Sequence, residues 1–534
     1  MRNRDYPLYD VPSYTSFSEM LKCGAMEAPG KIAIRQRKGK RETEEITYRQ
    51  LYEDVRRATA FIRDTIGTKK RVSILGENSY EWLLAFFGIV CSGNVAVPTD
   101  KNLPAREIKV LLKAAGAEAV FVSESCADKV EGNEDLRVMS LGQLRLDIPE
   151  NEGRDLPLLQ TDKPSVIFIT SGTVGKGKLV PLSQANLFAT IKAVCQVGDT
   201  EGESVMAVLP FNHAFGLVLS VLAMLAVQKN VYITKSLKYI QRDIRESRPY
   251  MIMLVPLFVE TFYKQIQSAI REQGKESRFR RGKRLCRLLL MFGIDCRRRI
   301  FRDVLEAFGG NLKWIVCGGA SLDPFYIKEF RAIGIGIMNG YALTECGSGA
   351  TINRNYYYKD GSVGRLIPGM EARISDEGEI ELKGHAITQG YLNDPESTRE
   401  SFTSDGWFRT GDLGYMDEDG FVFMTGRRKN LIILSNGENI SPEELEAEFR
   451  HDEGVCEVVV YGDGNLLVAE IFPEEAYIGN MAYFRTLMRK LNEGRPLSKQ
   501  ISRIVLREEA FVKNTSGKII RFENGFHRKE KRNV

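Results

Sequence analysis

Residues 165–186 have the composition of a phosphate-binding loop. They read SVIFITSGTVGKGKLVPLSQAN, a β-rich run that breaks into glycines, hydroxyl side chains and lysines. A mobile hairpin is the plain alternative for such a loop. Glycines, however, let backbone N–H groups approach phosphate oxygens, while hydroxyl groups and a lysine add donors and positive charge. We therefore predict phosphate contacts from Thr170, Ser171, Gly172, Thr173, Gly175 and either Lys176 or Lys178.

The same loop matches the first seven positions of the P-loop pattern GxxxxGK at residues 172–178. In that pattern the eighth residue is a Ser or Thr that binds magnesium, and the chain then continues as a helix. Here Leu179 takes the eighth position, and Pro181, which disfavours a helix interior, follows it. The sequence thus predicts phosphate binding without a P-loop fold.

Six further motifs follow the loop in a fixed order: LPFNHAFGL at 209–217, GGASLDP at 318–324, GYALTE at 340–345, GWFRTGDLG at 406–414, GRRKN at 426–430 and NTSGKIIR at 514–521. Together with the loop they resemble the adenylate-forming superfamily of acyl- and aryl-CoA synthetases, luciferases and peptide-synthetase adenylation domains, and the resemblance extends from about residue 17 to residue 522. Within that superfamily, the segments GENSYEWLLAFFGIV, IDCRRRIFRDVLEAFGGNLKWIVCGGASLDP and GRRKNLIILSNGENISPEELE are most similar to bacterial long-chain fatty acyl-CoA synthetases.

The resemblance implies ATP and Mg²⁺ as cofactors and assigns residues to them. A polar helix cap is the plain alternative for Thr344 and Glu345. An Asx-turn is the alternative for Asp412, although a carboxylate suits the two ribose hydroxyls. The implied contacts are Glu345 to magnesium, Thr344 to phosphate, Tyr341 stacked on adenine with Gly318, Gly319 and Ala320 along its other side, Asp412 and Arg427 to ribose, and Lys429 and Gly437 in the nucleotide-binding set.

Two further residues receive catalytic roles from the same resemblance. His213 in FNHAFGL is expected to line the approach of the carboxylate, although an isolated histidine between apolar residues is usually a packed core residue. Lys518 in NTSGKIIR is expected to reach the α-phosphate during adenylation, and Lys429 is expected to be the hinge about which its small domain rotates. Thr344 and Glu345 complete the predicted catalytic set.

The phosphate loop departs from the usual family pattern at four positions. The family usually has Thr at Val174, Pro at Gly177, Gly at Leu179 and His at Gln184. The missing proline is expected to loosen the loop, and Leu179 is expected to add bulk near the lysine. These departures are the support for one rival function, a non-catalytic acyl or nucleotide sensor.

The elements that must position these residues alternate along the chain. Short β-branched runs and amphipathic stretches predict strand–helix–strand units and an α/β fold. Ligands of such sheets gather where strands end, which is where the glycine-rich motifs lie. Combined with the resemblance, this predicts a large amino-terminal domain of doubly wound α/β subdomains plus a small β-barrel, residues 1–426, and a small mobile α+β domain, residues 427–534.

Length and composition limit the class of protein. A chain of 534 residues exceeds the usual size of one hydrophobic core, and 43% apolar with 27% charged residues is typical of a folded enzyme. A formal charge of +5 is too small to indicate nucleic-acid binding. The nine scattered cysteines and the polar amino terminus favour reduced thiols in a cytoplasmic protein. The apolar runs at 82–91 and 216–227 are too short to span a membrane and predict buried helices.

Residues 278–302 form a basic segment with ten arginines and lysines against one acid, Asp295. Leu285, Leu288, Leu289 and Phe292 recur in it at helical spacing. Such a helix can rest on an anionic membrane, which would make the protein membrane-peripheral. The commoner outcome, a solvated basic face above a core-packed apolar stripe, is the one that we predict.

The leading functional prediction is ATP-dependent activation of a medium- or long-chain fatty acid to an acyl adenylate, followed by transfer to the thiol of coenzyme A. Transfer to the phosphopantetheine of an acyl carrier protein presents the same thiol, so this alternative stays open. Retention of Glu345, Asp412, Arg427 and Lys518 argues against the non-catalytic alternative.

Overall fold

The computed structural model describes residues 5–39, 42–133, 135–146, 155–157, 159–170, 177–198, 201–433, 439–464, 466–513 and 519–521. The chain divides into two units. The first contains residues up to 170, 177–371 and 382–408, and the second contains 372–381 and the chain from 409 onward. The predicted boundary near Arg427 lies within the second unit and stays a prediction.

The elements of the first unit alternate between strands and helices. Its helices are α1 (Phe17–Glu27), α2 (Tyr48–Thr65), α3 (Tyr80–Cys91), α4 (Ala105–Ala115), α5 (Gln143–Leu146), α6 (Gln184–Val197), α7 (Ala223–Ala226), α8 (Ile240–Ser247), α9 (Pro256–Glu272), α10 (Glu276–Met291), α11 (Arg297–Ile300), α12 (Arg302–Glu306), α13 (Pro324–Ala332) and α14 (Pro395–Ser401). Its strands are β1 (Ile32–Lys38), β2 (Glu42–Thr47), β3 (Arg71–Leu75), β4 (Val95–Thr99), β5 (Ala119–Val122), β6 (Arg137–Ser140), β7 (Pro164–Ile169), β8 (Leu179–Ser183), β9 (Ser204–Ala207), β10 (Asn230–Ile233), β11 (Met251–Leu254), β12 (Trp314–Cys317), β13 (Gly336–Tyr341), β14 (Thr351–Ile352) and β15 (Arg365–Leu366).

Two large sheets organise these strands. One has nine strands in the order β15-β14-β13-β12-β11-β9-β10-β1-β2, and the other has six in the order β6-β5-β3-β4-β7-β8. The neighbours β9, β11, β12 and β13 are parallel. Every residue of β11 and β12 is buried, as expected for parallel strands covered on both faces. Consequently the carboxyl ends of these strands meet at one edge of the sheet.

Both apolar runs that predict buried helices are confirmed. In α3 every residue except Glu81 is buried, and Trp82, Phe86 and Phe87 join Phe17 of α1 in the main core. The second run forms a π-helix over Phe215–Leu222 that continues into α7. A π-helix is rare and often marks a functional site.

In the second unit and at its margin, short strands replace the long α/β alternation. The elements are β16 (Met370–Ile374), β17 (Glu379–Gly384), β18 (Phe408–Met416), β19 (Val422–Arg427), β20 (Ile432–Ile433), β21 (Asn439–Ile440), α15 (Pro442–Phe449), β22 (Val455–Asp463), β23 (Leu466–Pro473), α16 (Met481–Asn492) and β24 (Ile501–Leu506). Strands β16 to β19 form a four-stranded sheet in sequence order, and β22, β23 and β24 form a three-stranded sheet. A separate core around Phe449, Val458 and Phe484 stabilises the latter.

The start of α15 lacks the side-chain capping bond that an N-cap serine usually makes. Ser441 is the N-cap and Pro442 the first residue of α15. The Ser441 hydroxyl donates to Glu443 at 2.9 Å, and its side chain makes no capping hydrogen bond to the helix backbone.

The basic segment differs from its prediction. The predicted stripe does not pack into the core: Leu285, Leu288 and Phe292 are 48, 53 and 74% exposed, and Leu289 is only partly buried. The inner face of α10 is formed instead by buried Cys286 and partly buried residues such as Phe279. The helix thus has two apolar stripes, and tertiary contacts bury the one that contains Phe279 and Cys286.

All nine cysteines are free thiols, and the sulfurs of Cys286 and Cys296 lie 3.6 Å apart.

Within the described residues, no helix has the length and apolar character that crossing a membrane requires.

Candidate active site

Residues predicted to hold adenine lie at the ends of neighbouring strands. Strands β12 and β13 are parallel with Cys317 opposite Asn339. The loop 318–320 therefore follows β12 at the edge where residues 340–345 follow β13. A Cβ atom added to Gly318 would lie 3.5 Å from the carbonyl oxygen of Gly340, so the two segments approach closely. Gly319 and Ala320 are exposed, which leaves this edge open to a flat ligand.

Tyr341 and Thr344 lie at the turn that follows β13. Tyr341 is the last residue of the strand and is buried. Thr344 begins a short 3₁₀ helix over Thr344–Cys346, closed by a hydrogen bond from Gly347 N–H to the Thr344 carbonyl. This turn brings Glu345 to the same edge.

Glu345 is held by a residue that the sequence reasoning missed. The hydroxyl of Tyr391 donates to Glu345 Oε1 at 2.8 Å. The ammonium of Lys178 lies 4.2 Å from the centre of the Tyr391 ring, which is a cation–π contact. Burial and the neighbouring Glu345 raise the pKa of Tyr391, so its hydroxyl stays protonated and acts as a donor at neutral pH. Lys178, Tyr391 and Glu345 therefore form one connected group, which we call the Glu345 cluster.

A short strap at residues 388–392 brings the Glu345 cluster together. The Thr388 N–H donates to the Glu345 carbonyl at 2.7 Å, and its hydroxyl donates to the Pro181 carbonyl at 2.7 Å. Leu392 N–H donates to the Leu179 carbonyl at 2.9 Å. The strap thus connects β8, which follows Lys178, to the turn that carries Glu345.

The described part of the phosphate loop is its base. Thr170 N–H donates to the Lys178 carbonyl at 3.0 Å, and Lys178 N–H donates to the Thr170 hydroxyl at 3.2 Å. A Cβ atom at Gly177 would lie 2.6 Å from the Thr170 carbonyl oxygen, so this conformation admits glycine but not the proline usual in the family. The phosphate contacts predicted for Ser171, Gly172, Thr173 and Gly175, and the alternative Lys176, lie outside the described residues.

Two departures from the family pattern have structural roles. Leu179 is buried in β8 and packs with Val97, Ala115 and Ile167. The expectation that it adds bulk near the lysine is wrong, because its side chain fills the core. Gln184 is also buried, and its side-chain oxygen accepts the Phe17 N–H at 2.8 Å.

His213 lies in the turn between β9 and the π-helix. Its backbone N–H donates to the Pro210 carbonyl at 3.2 Å, and its backbone carbonyl accepts the Leu217 N–H at 3.0 Å. The preceding residues are fixed by Asn78, whose amide donates to the Leu209 carbonyl at 2.9 Å and accepts the Phe211 N–H at 3.0 Å. The sequence reasoning missed Asn78, since its partners are more than a hundred residues away.

The ionisation of His213 follows from its surroundings. Removal from water lowers the pKa of His213 below its ordinary value of 6.5, and the negative charge of Asp100 acts in the opposite direction. The imidazole is therefore neutral at pH 7 and offers a hydrogen bond rather than a positive charge.

A pH profile should reveal that neutral state. In His213→Asn, we expect the rate of pyrophosphate release to be about tenfold lower at pH 7, because one polar contact is lost. Protonation of the imidazole, at a pH below its lowered pKa, should slow the wild-type enzyme, whereas the variant has no such group. The ratio of the wild-type rate to the variant rate, measured between about pH 5 and 8, should therefore decrease as the pH is lowered. A constant ratio would show that His213 has no titrating role.

Asp412 and Arg427 belong to the second unit and contact each other there. They are opposite residues of the antiparallel strands β18 and β19, and Arg427 Nε lies 2.7 Å from Asp412 Oδ1. Asp412 is buried while Arg427 is exposed. The arginine therefore holds one carboxylate oxygen of the residue predicted to bind ribose.

Lys429 lies between two anchored neighbours in a 3₁₀ helix over Arg428–Asn430. Arg428 forms ion pairs with Glu377 at 2.5 Å and Glu379 at 3.1 Å. On the other side, the Asn430 amide donates to Glu443 at 2.6 Å. Lys429 itself is exposed. Gly437 and Lys518 lie outside the described residues, although Lys513 and Ile519 on either side of the NTSGK segment pair with each other.

Comparison with known proteins places the chain in a family. Residues 23–392 match the AMP-binding enzyme family, and the chain belongs to that family. A long-chain-fatty-acid–CoA ligase of Mycobacterium tuberculosis is 30% identical over 437 residues, which cover 75% of this chain and 72% of the relative. A 2-succinylbenzoate–CoA ligase of Listeria monocytogenes is 28% identical over 494 residues, 90% of this chain and 94% of the relative.

Solved structures show the same fold. The o-succinylbenzoate CoA synthetase of Bacillus subtilis with its acyl-adenylate intermediate has a TM-score of 0.76 and 21% identity, covering 95% of this chain and 97% of that one. ATP-bound MatB from Rhodopseudomonas palustris has a TM-score of 0.77 and 22% identity, covering 96% and 99%. The predicted α/β fold with a large and a small part is confirmed. The family and its relatives support an AMP-forming acid–CoA ligase.

The Glu345 cluster has the chemistry expected for ATP and magnesium. Mg²⁺ is usually held by one or two carboxylates together with substrate phosphates, and Glu345 supplies such a carboxylate. Lys178 is a cation of the kind that pairs with phosphate oxygens. The Bacillus subtilis synthetase has also been solved with ATP and a magnesium ion. When bound, the metal would offset negative charge on the phosphates.

Removing the Tyr391 hydroxyl should weaken magnesium use. Tyr391→Phe keeps the ring under Lys178 but leaves the Glu345 carboxylate without its donor, and loss of such a supporting bond typically costs 10- to 100-fold in metal affinity. We expect the magnesium concentration for half-maximal pyrophosphate release to rise about tenfold. Tyr415→Phe, a change on an exposed tyrosine of β18, is the matched control. An unchanged magnesium titration in Tyr391→Phe would count against the role of the hydroxyl.

Proposed function

We propose that this enzyme activates a medium- or long-chain fatty acid and joins it to coenzyme A. In the first half-reaction a carboxylate oxygen attacks the α-phosphorus of ATP, and the bond to pyrophosphate breaks. In the second, the sulfur of coenzyme A attacks the acyl carbon, AMP leaves, and the thiol proton is released. The observation that carries the proposal is the Glu345 cluster. In it, a carboxylate suited to binding magnesium is connected through Tyr391 to a lysine suited to binding phosphate.

The electrostatics of the Glu345 cluster suit the first half-reaction. Negative charge accumulates on phosphorus and on the leaving pyrophosphate, so catalysis needs fixed positive charge at those oxygens. Lys178 supplies it at the base of the loop whose composition predicts phosphate binding. Tyr391 holds Glu345 in one orientation, because its hydroxyl donates to the carboxylate at 2.8 Å. A side chain fixed beforehand spends no energy on reorganisation during the reaction.

The choice of a fatty acid rests on apolar packing at the same sheet edge. Phe215 and Val255 approach Gly318 and Gly319, with carbon atoms 3.5 to 3.6 Å from an added Cβ. They pack with buried Leu209, Met253, Val316 and Met338. A hydrocarbon chain gains from such surroundings, at about 0.8 kcal/mol per buried CH₂ group. 2-Succinylbenzoate carries a second carboxylate, which would need a cation or hydrogen-bond donors instead.

The departures of the phosphate loop from the family pattern are compatible with catalysis. Leu179 and Gln184 serve core packing and the attachment of α1, while glycine at 177 allows the close approach of Thr170. Since these departures have structural explanations, the support for a non-catalytic sensor is reduced.

A two-stage assay tests the proposal. Pyrophosphate release is measured with acetate, octanoate, palmitate, 2-succinylbenzoate and a mixture of amino acids, each with ATP and magnesium. Octanoate or palmitate should give the highest kcat/KM, since their chains bury the most apolar surface. Addition of coenzyme A, or of a phosphopantetheine-bearing carrier protein in a parallel reaction, should yield thioester with coenzyme A.

The outcomes separate the candidates. Preference for 2-succinylbenzoate would contradict the fatty-acid proposal while keeping the acid–CoA ligase. Thioester formation on the carrier protein alone would contradict coenzyme A as acceptor. Absence of pyrophosphate release with every acid would contradict adenylation itself.

A further inference from the structure

The outward face of α10 combines exposed apolar and basic side chains. Leu285 and Leu288 lie on it, and Met291 and Phe292 continue it at the end of the helix. Met291 and Phe292 are 78 and 74% exposed, among the highest values for large apolar residues in the described chain. Surface apolar residues are normal when scattered singly, but a contiguous group marks an interaction surface.

Three arginines flank the apolar residues. Arg281, Arg284 and Arg287 are exposed on the same outward side of the helix. Within the part of the chain that the structure describes, none of the three forms an ion pair. Other cations of the segment are already engaged: Lys283 pairs with Glu329 at 2.7 Å and Arg297 with Asp295 at 2.6 Å. We call Arg281, Arg284, Leu285, Arg287, Leu288, Met291 and Phe292 the α10 face.

The α10 face is supported from behind, so its exposure does not reflect a loose helix. Phe279 on the inner side packs edge-to-face on Phe301, with ring centroids 5.2 Å apart. Cys286 is buried on that side. Beyond the helix, Arg298 donates to the carbonyls of Leu312 and Gly310, each at 2.8 Å. Both ends of the exposed segment are therefore attached to the body of the first unit.

We propose that the α10 face docks on the surface of an anionic lipid bilayer. Leu288, Met291 and Phe292 would enter the boundary between headgroups and acyl chains, while the arginines contact lipid phosphates. Arginine side chains suit this position, because their apolar stems pack beside hydrocarbon while the charged groups reach the headgroups. This inference does not depend on which acid the enzyme activates.

The charge of the face decides between a membrane and other partners. Two copies of the chain joined through this face would bring arginines against arginines without an acid between them, which is unfavourable. A nucleic acid would offer phosphates to the arginines but no apolar surface for Leu288, Met291 and Phe292. An anionic leaflet satisfies both kinds of side chain.

Vesicle binding of the full-length protein tests the proposal. The probes are vesicles of phosphatidylcholine alone and of phosphatidylcholine mixed with phosphatidylglycerol, and bound protein is measured by co-sedimentation. The wild type should bind the mixed vesicles, more weakly as salt increases. Arg281→Gln/Arg284→Gln/Arg287→Gln should bind about 100-fold more weakly, because each arginine near an anionic leaflet contributes about fivefold. Leu288→Ser/Met291→Ser/Phe292→Ser should lose binding by at least about 100-fold.

Matched changes on other exposed surfaces serve as controls. Arg485→Gln/Arg489→Gln/Lys490→Gln on α16 removes the same charge, and Met26→Ser/Ile478→Ser/Leu497→Ser removes three exposed apolar side chains. Both controls should bind mixed vesicles as the wild type does, and all variants should release pyrophosphate from ATP in solution at the wild-type rate with the acid that the wild type activates.

Four results would overturn the inference. The wild type could bind neither kind of vesicle, or bind both equally. The α10 variants could bind as tightly as their controls. Finally, lipid-free sedimentation could show a wild-type dimer that becomes a monomer in the α10 variants, which would make the face a contact between copies.

Discussion

Lys518→Ala is expected to reduce pyrophosphate release by about 1,000-fold and to leave the second half-reaction nearly intact. The resemblance to adenylate-forming enzymes implies that this lysine reaches the α-phosphate and carboxylate only during adenylation. Its ammonium group would then offset the charge that develops as pyrophosphate leaves. Supplied acyl adenylate and coenzyme A should still react, because that step does not need the lysine. Stopped assays of each half-reaction measure the two rates separately.

A neighbouring lysine provides the control for Lys518→Ala. Lys513 forms an ion pair with Glu457, and its backbone pairs with Ile519. Lys513→Ala removes a lysine from the same region, so we expect a modest effect on stability and similar rates in both half-reactions. Equal loss of both half-reactions in Lys518→Ala would mean that the lysine is structural, or that the enzyme does not use two orientations of its small domain.

Lys429→Pro is expected to have the opposite effect: adenylation persists, and thioester formation falls by about 100-fold. Proline fixes φ near −65° and also restricts the preceding residue, so it stiffens the chain at the predicted hinge. Arg428 is attached to Glu377 and Glu379, and Asn430 is attached to Glu443 at the start of α15. If the chain changes direction between these two attachments, the backbone dihedral angles of Lys429 must therefore change most.

Lys429→Ala separates the backbone effect from the side chain. It removes the same ammonium group but leaves φ free, so both half-reactions should proceed at close to the wild-type rate. If alanine and proline impair thioester formation equally, the side chain contributes and the hinge interpretation is wrong. If Lys429→Pro leaves both half-reactions unchanged, rotation about this residue is not required.

Much of the adenine-binding edge was predictable from the sequence. GGASLDP and GYALTE each follow a β-branched run, and parallel neighbours end at the same edge of a sheet. The pairing of Asp412 with Arg427 was less accessible, because it depends on the register of β18 and β19. A shift by one residue would turn one of the two side chains to the opposite face.

The role of Tyr391 could not be read from the sequence. It lies forty-six residues from Glu345 in a segment, QGYLNDPE, that has turn residues but no repeated spacing. Its proximity depends on the hydrogen bonds that join the strap at 388–392 to Glu345, Pro181 and Leu179, all of them distant in sequence. The same holds for Leu179, because successive side chains of a strand point to opposite faces.

By itself, the sequence determined the family, the α/β alternation and the residue types available for phosphate, magnesium and ribose, since ordered motifs and apolar periodicity are local properties. Only the tertiary structure decided which of these residues contact one another and which apolar stripe of α10 is buried. The physical reason is that a helix or strand with two usable faces buries the one for which the rest of the chain supplies partners. For α10 those partners are Phe301 and Glu329, which leave Leu288, Met291 and Phe292 at the surface.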